Sequence, residues 1–103
     1  MKYCMIETAF DNREEAEKTI KALLEKKLVA GCQMVECDSK WNWKNEYEAC
    51  KEYLVFMKTK ASLQKEIYDT IREIHNYECF EFAVFNLESY SEDYLQWIED
   101  ETV

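Results

Sequence analysis

The chain has 103 residues, 48% of them apolar and 15% aromatic, with 5 Cys, 1 Gly, no Pro and a formal charge of −9. This predicts one domain over 1–103 with a core of its own, and excludes disordered, collagen-like and linker-rich architectures. A net negative chain repels phosphate backbones and anionic lipid, so neither nucleic acid nor a membrane surface is an expected partner.

Residues 2–9 alternate weakly and predict a first strand. Asp11 precedes Glu14 by three, the spacing of a capping box. Ala16, Ile20, Leu23, Leu24 and Leu28 then recur at helical spacing. Val29 to Cys37 reads as a second strand, and Trp41 to Glu46 as a hairpin tip in which Asn45 takes the left-handed conformation usually filled by Gly. The apolar run Tyr53-Leu54-Val55-Phe56-Met57 predicts a central third strand. Leu63, Ile67, Ile71 and Ile74 form a second helical stripe, which His75-Asn76-Tyr77 ends. Phe80 to Leu87 predicts a fourth strand, and Ser89 with Glu92 a second capping box before a last helix carrying Tyr94, Leu95, Trp97 and Ile98.

The order β-α-β-β-α-β plus a final helix predicts an α+β fold, a ferredoxin-like sandwich with both main helices on one face of an antiparallel sheet. The other face would expose more aromatic and aliphatic surface than a soluble monomer tolerates, so self-association is expected.

Residues 76–103 hold eight acids and no Lys or Arg, and read as a solvated, charge-bearing face. No apolar run approaches the ~20 residues of a membrane span. Glu7 comes too early for a secretion signal. The five Cys, an odd number without a C-x-x-C, are therefore expected as free thiols in a cytoplasmic protein.

Six segments in order resemble the CutA family of divalent-ion tolerance proteins. They are Glu7-Thr8-Ala9-Phe10; Leu28-Val29-Ala30-Gly31-Cys32; Ser39 to Glu46 around Trp41 and Trp43; Glu52 to Lys58-Thr59; His75 to Glu81; and Asp93-Tyr94-Leu95-Gln96-Trp97-Ile98. Asn45 stands where the family has Gly, and Phe10, Asn76 and Phe80 where it has Pro. Losing two Pro predicts a looser loop around His75. The resemblance implies a ferredoxin-like homotrimer, a link to copper or another divalent metal, and a likeness of shape to the PII signalling trimers.

On family positions, Cys32 and His75 supply a thiolate and an imidazole for copper or zinc, with Glu52 or Glu7 adding an oxygen. Each also has a plain reading, Cys32 as a packed strand residue and His75 as a helix cap. Lys58 and Tyr77, with Glu52 and His75, make a candidate small-molecule pocket, the contacts of an alternative scaffold or signalling module that binds an anion or a partner protein. Trp41 and Trp43, two apart on one strand face, are expected to anchor the neighbouring subunit. RRM-type base stacking lacks its basic sheet here. No phosphate loop, nucleophile elbow or H-E-x-x-H occurs, so no enzymatic activity is expected.

Overall fold

The computed structural model describes all 103 residues. In chain order it has β1 (Tyr3–Phe10), α1 (Arg13–Glu25), β2 (Gly31–Trp43), β3 (Glu46–Lys60), a 3-10 turn (Ala61–Leu63), α2 (Gln64–Ile74), β4 (Ala83–Asn86) and α3 (Glu92–Glu101). The strands form one antiparallel sheet in the order β2-β3-β1-β4. This is the expected ferredoxin-like arrangement, with a C-terminal helix added.

Directly paired residues in an antiparallel sheet point to the same face. Ile6 pairs with Met57, and Cys4 with Thr59, all of them buried. With Phe10 and Val55 they make the inner face, on which Ala16 and Leu23 of α1 and Ile67 and Ile71 of α2 close the core. Leu28 and Val29, between α1 and β2, complete it.

The opposite, open face carries Met5, Glu7 and Ala9 of β1, Leu54 and Phe56 of β3, and Phe85 of β4. Only its end is covered by α3. A Cβ on Gly31 would lie 2.8 Å from Cη2 of Trp97, so the absence of a side chain there lets the indole sit against the sheet.

Several boundaries differ from the sequence expectation. The first helix is capped by Asn12, whose side chain accepts the Glu15 N–H at 2.8 Å, not by Asp11. Ser91 rather than Ser89 precedes α3, and its side chain makes no capping bond. The fourth strand is shorter than expected, because its pairing with β1 begins only at Ala83.

The main difference is the hairpin. β2 and β3 stay paired through thirteen positions, from Gly31–Lys58 to Trp43–Glu46. Lys44 (φ 52°) and Asn45 (φ 68°) close it, two successive left-handed residues whose twist suits a two-residue hairpin turn. The outer half projects beyond the helices and stretches the molecule to 44 × 26 × 22 Å.

Candidate functional site

His75 ends α2 and turns its ring into the protein. The side chain is fully buried, stacked between Phe10 (ring centroids 4.4 Å apart) and Phe80 (4.9 Å). Nε2 faces the Ala9 carbonyl oxygen at 2.6 Å. A carbonyl only accepts, so Nε2 carries the hydrogen. Nδ1 in turn accepts the Tyr77 N–H at 3.1 Å. Both ring nitrogens are thus engaged, and neither presents a free lone pair to a metal.

The segment after His75 is tied down despite its missing prolines. Arg72 donates to the carbonyls of His75 (3.2 Å), Glu78 (3.1 Å) and Tyr77, while its guanidinium lies over the Phe80 ring at 4.7 Å. Glu15 accepts the Asn76 N–H at 2.7 Å, and Asp11 accepts the Asn76 side-chain amide. The looser loop expected from the Pro losses is therefore not what forms. Arg72 supplies from a side chain the order that proline rings would have supplied from the backbone.

The strand register separates the three metal candidates. Cys32 pairs with Met57 and Glu52 with Cys37. Positions 32 and 37 are an odd number apart on one regular strand, so Cys32 and Glu52 point to opposite faces of the sheet. His75 shares the inner face with Cys32 but stacks on Phe10, whereas Cys32 is level with Ile6 through Met57. Four residue steps along the strand, about 13 Å, separate those levels. Burial also pushes the Cys32 thiol up to about 12, so it stays protonated near neutrality despite the opposing field of Lys58. Nowhere in the chain do three or more His, Cys, Asp or Glu side chains converge on a metal position. Cys32, His75 and Glu52 of one copy thus do not fit a resident copper or zinc centre.

The second candidate group also divides. The Tyr77 hydroxyl donates to Glu52 Oε2 at 2.7 Å. Burial, that bond and the neighbouring carboxylates all raise the Tyr77 phenol pKa. Lys58 lies elsewhere, six residues along β3 from Glu52, with its Nζ donating to Gln33 Oε1 at 2.7 Å. Lys58 and Tyr77 do not share a pocket, which removes the paired contacts expected for an anion.

What Glu52 and Tyr77 do share is an open cleft of about 790 Å³ between the outer hairpin and residues 76–81. Trp41 and Trp43, on one strand face as expected, line its hairpin side together with Glu48. Glu78, Cys79 and Glu81 line the other side. Glu81 was not singled out by its sequence context. Partial desolvation of an otherwise exposed side chain, a hydrogen bond to Glu7 and the fields of Glu7 and Glu52 push its carboxyl up to about 7. Nothing local pairs residues 7, 52 and 81. The pairing of β1 with β4 sets Glu7 opposite Ala83, two residues from Glu81, which is how those two carboxyls meet.

Residues 4–101 match the family described as CutA1 divalent ion tolerance protein. The divalent-cation tolerance protein CutA of Pyrococcus horikoshii is 32% identical over 98 residues, which cover 95% of this chain and 96% of that one. The protein of the same description from Thermotoga maritima is 30% identical over 96 residues, 93% and 95% of the two chains. Among solved structures, the crystal structure of CutA1 from Pyrococcus horikoshii superposes with a TM-score of 0.92 at 30% identity, covering 97% of this chain and 98% of that one. An Archaeoglobus fulgidus structure described as a periplasmic divalent cation tolerance protein CutA gives 0.93 at 28% identity, covering 96% and 97%. In sequence and in fold alike, this chain belongs to the CutA1 divalent ion tolerance family.

Proposed function

We propose that the protein serves divalent-cation tolerance as a homotrimer, and that cations such as copper meet it in clefts between copies rather than at a centre inside one copy. The full-length family match supports the tolerance role in the first part of this reading. The open sheet face supports the second. Val35 is 50% exposed, Phe85 47% and Trp43 40%, a spread of apolar surface that a second copy would cover. Trp41 and Trp43 stand on the projecting hairpin, where they can reach a neighbour and still line a cleft. Cys32 and His75 then act as packing residues of the scaffold, and no catalytic step is assigned to them.

Light scattering at low micromolar concentration should give a mass near three chains, reduced in Trp41→Ala and Trp43→Ala. A stable single-chain mass would overturn the assembly. Calorimetric titration of the reduced protein with Cu(II) and Zn(II) tests the cation reading. Saturable binding that survives Cys32→Ser supports it, whereas binding abolished by that substitution would return the metal to a site built on the buried thiol.

A further inference from the structure

One cation on the open sheet face is buried without a countercharge. Lys58 pairs with Met5 on one side and Gly31 on the other, so its side chain leaves toward that face. It is only 8% exposed. Its Nζ donates to Gln33 Oε1 at 2.7 Å, and none of the chain's ion pairs includes it. An ammonium has three hydrogens to give, and the neutral amide takes one of them. The Cys32 thiol, which feels the Lys58 charge, stays protonated and brings no charge of its own. A buried ammonium left in this way is costly unless a carboxylate or another anion reaches it.

The same face carries the opposite imbalance. Glu7 is half-buried between Met5 and Ala9 and opposite Phe56, one diagonal step from Lys58. The two form no ion pair: Lys58 reaches across to β2, and Glu7 meets Glu81. Partial desolvation and that contact hold the Glu81 carboxyl above the usual range, and neither acid is in a salt bridge. Val35, Leu54, Phe56 and Phe85 make the rest of this surface apolar. An apolar cover would seal both kinds of charge from water. A small anion would answer Lys58 and leave the two carboxyls facing each other. A second copy answers both, since each copy brings an ammonium and a carboxyl pair at different places on one face. A heterologous interface, in which one patch meets a different patch, satisfies every copy of a closed ring.

We infer that the Lys58 ammonium of one copy pairs with the Glu7 and Glu81 carboxyls of the next, and that this ion pair sets the register of the interface. Gln33 then acts as a positioning residue that holds the ammonium toward the neighbour. Such a pair requires the proposed homotrimer and supplies its charged contact.

The test is light scattering of the full chain over a dilution series, at a fixed urea concentration that leaves the fold intact by circular dichroism. Lys58→Met keeps much of the side chain and removes its charge. It should raise the concentration at half-dissociation about tenfold or more, because the neighbour's carboxyls lose their partner. Glu7→Gln should act in the same direction, and the double variant should dissociate no more readily than Lys58→Met alone. Assembly of Lys58→Met as tight as that of the parent, or tighter, would overturn the inference, since removing an unpaired buried charge relieves a cost. An unchanged half-dissociation in both Glu7→Gln and Glu81→Gln would overturn it equally, without touching the buried lysine. So would equal coupling between Lys58→Met and Glu7→Gln in urea unfolding of dissociated chains, which would place the pair inside one copy. Phosphate that tightens the assembly of the parent but not of Lys58→Met would overturn it in favour of a free anion. A parent that is a single chain at every concentration would overturn the homotrimer itself, and the pair with it.

Discussion

The two halves of the β2–β3 hairpin have the same backbone pairing and opposite surroundings. In the inner half, Val55 and Met57 are buried under the helices, while Gly31 takes the indole of α3 on the other face. In the outer half every residue from Glu46 to Lys51 is exposed, and the strands are held by their ladder, the turn and cross-strand pairs. Side chains inside fix the fold. Those outside contribute little to it, which leaves them free to carry the aromatic and acidic groups of the cleft.

Substitutions should therefore act very unequally on the two halves. Phe10→Ala removes a fully buried ring that stacks on His75, and should destabilise the protein by about 3–5 kcal/mol in urea unfolding. A loss below about 1 kcal/mol would contradict the assignment of the core to this end of the sheet. Gly31→Ala drives a methyl group into Trp97, and should cost about 1–3 kcal/mol. The same change made on a Trp97→Ala background should cost much less, and an unreduced penalty would show that the indole is not the obstacle.

Around the cleft the effects should be smaller, and one of them depends on pH. The Glu81 carboxyl titrates near 7 in the folded protein against an ordinary 4.5, so the folded state binds more protons between those values. Stability should fall as pH rises through that window, and remain lower above it. Glu81 is exposed, and solvent screening limits the change to on the order of 1 kcal/mol. Comparing unfolding at either end of the window should show the slope, and Glu81→Gln should flatten it. An identical slope in the variant would assign it to another group. Smallest of all, Asn45→Gly relaxes a residue at φ 68° and should stabilise by about 0.5 kcal/mol in thermal unfolding. A loss of stability would mean that the Asn side chain itself holds the turn.

The inner half was legible in the sequence because its signals are local. The stripes Ala16 to Leu28 and Leu63 to Ile74, and the apolar run Tyr53 to Met57, give element type and burial directly. The outer half was read too short, since exposed strands such as Glu46 to Lys51 have no hydrophobic alternation to mark them. Asn45 was the exception, because a left-handed Asn in a two-residue turn is a local property.

From its own order of elements and its six family-like segments, the sequence determined the ferredoxin-like fold and the CutA1 membership. It also placed Trp41 and Trp43 on one face, a matter of spacing along a single strand. Only the tertiary structure decided which candidate residues meet. Cys32 and Glu52 part company by the parity of one strand register, and His75 uses both nitrogens within its own loop and β1. Tyr77 meets Glu52 across 25 positions of the chain, and Glu81 meets Glu7 across 74. Periodicity sets which way a side chain leaves its own element. Which side chains then share a site depends on how the strands pair and on where the loops cross the sheet.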